Sequence, residues 1–257
     1  MDNMIKEALA FYNKKEFEKA LNVFEKILEH SSATPAIYNN MAMCYFNIPN
    51  FDKATEYFIK ALSLDNKLPQ AYINLSDIYF RQKRYLEAIE LLQNAVYYLP
   101  DVPVLKHYLA RVYMADSRLD LAIPMLDEVL EKDYDNYDAH WDFGRVCFDL
   151  GDYAGAIEHF EKVIEGCSNN ELIFYQLGQA YEANDELSKA LSNYLKAATI
   201  NEKFHPAFKK IGLIFYAQGD LESAKEYLQD YLELMADEEE KTEVRELISR
   251  INKKEQK

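Results

Sequence analysis

Along this chain of 257 residues, apolar side chains return at i, i+3, i+4 and i+7 over windows of roughly a dozen positions. Short polar breaks such as Leu150-Gly151-Asp152 and Gln218-Gly219-Asp220 separate the windows. That spacing places the apolar residues on one face of a helix. No stretch alternates apolar and polar residues between regular turn signals, so a sheet-rich fold is not expected. In the breaks, Gly suits the left-handed residue that ends a helix and Asp suits the cap of the next one. Pro35, Pro69 and Pro103 stand where new helices should open, in the first turn, where a missing N–H costs nothing.

The windows come in pairs and the pairs repeat. Ala20, Ala54, Ala88, Ala122, Ala156, Ala190 and Ala224 recur every 34 residues without insertion or deletion. With Ala near one residue in ten, this has a chance on the order of 10⁻⁷. Ala8, Ala42, Ser76, Ala110, Gly144, Gly178 and Gly212 form a second series in phase, all small. A third is large and apolar (Phe17, Phe51, Tyr85, Leu119, Tyr153, Leu187, Leu221), and two further series are mostly aromatic or aliphatic, beginning at Phe11 and at Phe24. Small residues let two helix axes approach, and the larger ones fill the space around the crossing. One such pair cannot bury its apolar stripe alone; stacking on the next pair does.

Phe174-x2-Leu177-Gly178-x2-Tyr181 followed by Ala190-x3-Tyr194 resembles the tetratricopeptide-repeat signature W-x2-L-G-x2-Y…A-x3-F. Tyr72-x2-Leu75-Ser76-x2-Tyr79, then Ala88-x3-Leu92 and Pro100, resembles it again. The resemblance spans residues 1–238 as seven units: 1–34, 35–68, 69–102, 103–136, 137–170, 171–204 and 205–238. It implies an all-α, right-handed superhelical solenoid of antiparallel helix pairs. Glu7 stands where later units carry Met41, Leu75, Leu109, Phe143, Leu177 and Ile211, which suits the exposed end of a stack. Residues 239–257 leave the period but keep Val244, Leu247, Ile248 and Ile251 on one helical face, and are expected to form a capping helix. Pro124 falls inside a second helix and should bend it, unless that helix starts late.

The net charge of −15 is concentrated in residues 103–238 and argues against a general nucleic-acid binder, which needs a basic face. No run of eighteen apolar residues exists, so no membrane insertion is expected. The N-terminus lacks the basic start and apolar run of a secretory signal. Cys44, Cys147 and Cys167 are odd in number and show no CxxC spacing. A cytoplasmic acidic protein is the expectation.

Catalysis finds no support in the motifs. His30, His107, His140, His159 and His205 show neither HExxH nor zinc spacing with Cys, and no P-loop, GxGxxG or GxSxG occurs. The carboxylates mostly alternate with Lys on predicted solvent faces, as in Glu16-Phe17-Glu18-Lys19. No enzyme activity, cofactor or metal is expected, and the histidines are read as ordinary structural residues.

The family resemblance implies that the first helix of each pair lines the inner, concave face where partner peptides lie. Slots on that face hold Ile5, Asn39, Ile73, His107, Trp141, Tyr175 and Lys209, and four residues on, Leu9, Met43, Asp77, Arg111, Arg145, Gln179 and Leu213. A further slot holds Tyr12, Phe46, Phe80, Met114, Phe148, Glu182 and Tyr216, an aromatic stripe whose plainer reading is packing. Arg81, His107, Arg111, Trp141, Arg145, Phe148 and Tyr175 are the candidate peptide-binding residues. Arg111 and Arg145 occupy equivalent slots and should fork onto a carboxylate or phosphate, with Trp141 and Tyr175 gripping apolar side chains. Local neutralisation by Asp77, Asp142 and Asp149 is the alternative. Asn40 and Asn74 match the middle Asn of the clamp by which this family holds chaperone C-termini, but Ile5, Leu9, Asn39 and Met43 do not match the rest. The expected function is a protein-interaction scaffold or adaptor whose partner carries an acidic or aromatic motif. A self-assembling structural module, or an accessory factor for assembly or secretion of a larger complex, is the alternative.

Overall fold

The computed structural model describes residues 2–255, and among these it contains fifteen α-helices and no strand. The chain divides into two compact units, Met1–Tyr134 and Asp135–Lys257. The first holds four helix pairs: α1 (Asp2–Asn13) with α2 (Phe17–His30), α3 (Pro35–Asn47) with α4 (Phe51–Leu64), α5 (Pro69–Arg81) with α6 (Tyr85–Tyr98), and α7 (Pro103–Ala115) with α8 (Leu119–Lys132). The second holds three pairs and a last helix: α9 (Tyr137–Leu150) with α10 (Tyr153–Gly166), α11 (Glu171–Ala183) with α12 (Leu187–Ile200), α13 (His205–Gln218) with α14 (Leu221–Leu234), then α15 (Glu238–Glu255).

The periodic residues make the cores. In the first unit Ala20, Ala54, Ala88 and Ala122 are fully buried, as are Ala156, Ala190 and Ala224 in the second. Phe24, Phe58, Leu92 and Leu126 fill the space beside the first set, and Phe160, Tyr194 and Leu228 do so beside the second. Met41, Leu75 and Leu109 are buried at the slot where α1 exposes Glu7. At the other end Val244, Ile248 and Ile251 of α15 close over Leu228 and Tyr231 of α14. These residues, with Leu247, are the ones that the sequence places on one helical face.

Each pair is joined by the same turn. Its left-handed residue is Lys15, Pro49, Lys83, Ser117, Gly151, Asp185 or Gly219, with φ between 25° at Pro49 and 84° at Gly219. These positions are themselves 34 residues apart, and only two are Gly. Backbone bonds close the turn: Lys83 N–H donates to Phe80 O and Arg84 N–H to Tyr79 O, and the same two bonds recur around Ser117, Gly151, Asp185 and Gly219. This is the paired capping pattern that satisfies the last carbonyls of a helix. At Pro49 only the second bond exists, from Asn50 N–H to Tyr45 O, because Pro has no N–H to give. Asn50, Asp152 and Asp220 then cap the following helices, accepting from the amides of Lys53, Gly155 and Ser223. Pro124 neither ends α8 nor delays it. The helix runs in register from Leu119, with Pro124 on its solvent side, where the carbonyl it leaves free can meet water.

Candidate functional site

Three of the sequence-predicted residues lie in the first unit, on α5 and α7. Asp77, Phe80, Tyr108 and Arg111 lie on first helices, and Phe80 also meets Tyr85 of its own second helix. Together with Ser76 and Val112 they line a small concavity of about 60 Å³ made wholly by first helices. The Arg111 guanidinium stands 5.7 Å from the centre of the Tyr108 ring, within cation–π reach. Arg81 extends over the Phe46 ring and forms an ion pair with Asp77, Nε to Oδ2 2.7 Å. His107 is half-buried beside them on α7. Asp77 therefore serves Arg81 directly while lining the same concavity as Arg111.

The other four lie in the second unit, and the three aromatic ones are each anchored by a ring contact. Trp141 packs on Phe160 with centroids 5.4 Å apart, and Tyr175, at the equivalent slot, packs on Tyr194 at 5.4 Å and edge-on to Phe204 at 5.3 Å. Burial raises the Tyr175 phenol above its ordinary value, with the Glu182 charge adding to it. Phe148 leans on Tyr153 at 5.5 Å. The same aromatic step over the turn occurs at Tyr12–Phe17, Phe46–Phe51 and Phe80–Tyr85, so the aromatic stripe carries a packing duty in both units. Arg145 is exposed, with Nη1 3.8 Å from Oδ1 of buried Asp142. At that separation and exposure the pair contributes little.

Two arrangements were not legible from the slots. Glu182 interrupts the aromatic stripe. It accepts a 2.5 Å hydrogen bond from the fully buried Tyr194 hydroxyl and takes Lys210 Nζ at 2.9 Å. Burial, then this bond, pushes the Tyr194 phenol far up. The signal was a coincidence of two departures: Tyr where earlier units have Phe or Leu, and Glu where they have an aromatic or Met. Second, His140 Nδ1 and His159 Nδ1 are 2.8 Å apart in the slots that hold Tyr38–Tyr57 and Phe208–Tyr227 elsewhere. Phe143 stacks on His159 at 4.2 Å. Burial, reinforced by the neighbouring His140, holds the His159 imidazole below its usual pKa.

Among the described residues, no three His, Cys, Asp or Glu side chains are placed to hold a metal ion. No helix among them is long and apolar enough to cross a membrane. The free Cys44 thiol is buried and pushed up to about 12 by desolvation, which makes it a packing residue and a poor nucleophile.

Four family models described as tetratricopeptide repeat match residues 50–112, 109–171, 173–204 and 207–234. Among solved structures, the chain is similar to YrrB, described as a protein of this repeat class with an unusual peptide-binding site. The two share 25% identity over 72% of this chain and 95% of that one, with a TM-score of 0.62. A repeat protein from Parabacteroides merdae aligns over 97% of this chain and 98% of its own at 15% identity, with a TM-score of 0.67. MamA from Desulfovibrio magneticus aligns over 65% and 94% at 20% identity, with a TM-score of 0.62. No curated protein sequence matches the chain.

Proposed function

The chain belongs to the tetratricopeptide-repeat family, a helical solenoid fold that serves in general as a protein-interaction scaffold, and on that premise we propose that it is an adaptor holding a partner segment against its first helices. The observation that carries this reading is the concavity of Asp77, Phe80, Tyr108 and Arg111, which combines an apolar floor with an arginine and is made by first helices alone. An arginine fork fits a carboxylate, and Phe80 and Tyr108 offer apolar area at low entropic cost. In the second unit, Trp141, Phe148 and Tyr175 are held by their ring contacts and half-exposed beside Arg145, a pre-set surface of the same chemistry. The reported peptide-binding site of YrrB adds support by similarity. No catalytic role is assigned to any residue.

Affinity capture from the native lysate, repeated with the Arg111→Ala and Arg145→Ala double variant, tests the reading. Partner capture should fall by about tenfold or more, as for loss of two charge-assisted contacts, with helicity by circular dichroism unchanged. Unchanged capture removes both arginines from the site. Trp141 is the only tryptophan, so its fluorescence reports occupancy of the second unit when the captured partner is titrated.

A further inference from the structure

The histidine pair and the Trp141 contact are built by the same two helices from neighbouring residues. His140 and Trp141 are adjacent on α9, and the rings they meet, His159 and Phe160, are adjacent on α10. Phe143 stacks on His159 at 4.2 Å. Gly144 brings bare backbone against Phe160, where an added Cβ would stand 2.7 Å from the ring. This stretch of α9 therefore grips two residues of α10 with little slack. In the other six helix pairs the slots of His140 and His159 hold no histidine. Tyr38–Tyr57 and Phe208–Tyr227 fill them with rings that keep one charge state through the range where imidazole titrates.

One proton between the two Nδ1 atoms suits their 2.8 Å separation. When both atoms carry protons, two donors and two positive charges face each other, and that distance is no longer favourable. His140 is 4% exposed, so water does not screen it. Glu158 on α10 and Asp152 at its cap, both exposed, pull His159 toward the charged form, but burial and His140 outweigh them. Asp142, buried on α9, meets Arg145. From α11, Tyr181 faces α10, and its hydroxyl donates to Glu161 there. His159 lies under Phe143 and His140 is buried, so neither ring swings away without displacing a neighbour. Relief then comes from parting α9 and α10 at this level, and the Trp141–Phe160 contact beside it parts too.

We propose that the His140–His159 pair is a proton-operated latch on the Trp141 part of the partner-binding face, closed at neutral pH and opened when both rings are charged. The latch rests on the reading of Trp141 as a contact for the partner segment. Closed, it holds Trp141 against Phe160 in its half-exposed setting. Opened, it takes away the backing of Trp141, and the segment is held more weakly.

The first test reads Trp141, the only tryptophan, in the free full chain. Acrylamide quenching, corrected for fluorescence lifetime, should rise through a transition on the acid side of about pH 6.5, with helicity by circular dichroism unchanged. His140→Phe with His159→Tyr should abolish the rise, and His30→Gln with His205→Gln, outside the pair, should keep it. Should the aromatic variant fail to fold, His159→Gln keeps a hydrogen-bonding side chain without a second charge and carries the same expectation. A fall in intensity without a change in corrected quenching is direct quenching by imidazolium and overturns the latch. A transition that persists in the pair variants, or that coincides with loss of helicity, overturns it as well. The second test follows partner captured on the immobilised chain at neutral pH. The parent should hold it about tenfold more weakly at about pH 5.5, the change that a shift of one pKa unit produces, and the pair variant equally at both. Failure to capture any partner overturns the site reading, and the latch's role with it, while the Trp141 transition stands. A captured partner beside a pH-independent Trp141 overturns the latch alone.

Discussion

The first unit fills the helix-crossing slot with Ala8, Ala42, Ser76 and Ala110, and the second fills it with Gly144, Gly178 and Gly212. The slot is the same and the packing is not. A Cβ added at Gly144 would stand 2.7 Å from the Phe160 ring, at Gly178 2.6 Å from Tyr194, and at Gly212 2.7 Å from Leu228. In the second unit the large residue of the second helix therefore presses onto bare backbone, whereas the first unit keeps a methyl or hydroxymethyl between the two. Closer approach also brings polar groups with it: the Tyr194 hydroxyl needs Glu182, and Glu182 needs Lys210. The first unit has no such obligation at Phe46 and Phe58, the equivalent slots. Repeats of one period can thus reach stable packing by two routes, one forgiving and apolar, the other close and polar.

The polar route should break hardest. Glu182→Ala leaves the buried Tyr194 hydroxyl without an acceptor and Lys210 without its carboxylate, and should destabilise the protein by about 2–3 kcal/mol in urea denaturation. Glu182→Phe combined with Tyr194→Phe installs the first unit's solution, and should recover most of that loss. A double-mutant cycle with no coupling between the two positions would show that the hydroxyl finds another partner.

The packing difference itself comes next. Gly178→Ala should cost about 1–2 kcal/mol, because the strain of overpacking against Tyr194 exceeds the roughly 1 kcal/mol of helix propensity that Ala brings. Ala42→Gly in the first unit should also destabilise, by about 1 kcal/mol, from propensity alone. A stabilised Gly178→Ala variant, measured by thermal unfolding, would erase the distinction between the two units.

The smallest effect concerns the histidine pair. With Nδ1 atoms 2.8 Å apart, one imidazole donates and the other accepts; a second proton turns both into donors. Burial and His140 lower the His159 pKa against the opposing pull of Glu158 and Asp152. A His held below its unfolded value contributes stability that is complete above about pH 6.5 and is lost as pH falls below it. The carboxylates lowered by partners, such as Glu186 and Asp220, lose theirs at more acidic pH. Between pH 7.5 and 5.5 the unfolding midpoint should drop by roughly 2–4 °C, and His140→Phe with His159→Tyr, the pairing found at Phe208–Tyr227, should flatten that slope.

The fold was legible in the sequence because seven slots recur without a slip, and a one-residue register needs no knowledge of distant contacts. Helix starts at Pro35, Pro69 and Pro103, the caps at Asp152 and Asp220 and the face of α15 all followed from local chemistry. The candidate site was legible only in part. Equivalent slots show that Trp141 and Tyr175 belong together, but not that each is stacked on a second-helix ring. The His140–His159 contact was hidden because the two residues lie 19 apart on different helices, outside any motif spacing. The late start expected at Pro124 does not occur, because the rule for helix interiors ignores which side faces water.

The seven turns between paired helices have one further implication. Their closure is a matter of backbone bonds, and five of the seven left-handed positions carry a residue other than Gly. Each of those five joints holds a small conformational debt that no contact in the cores reflects. The molecule therefore lies below the stability its own architecture permits, and glycine at those five joints could release the reserve.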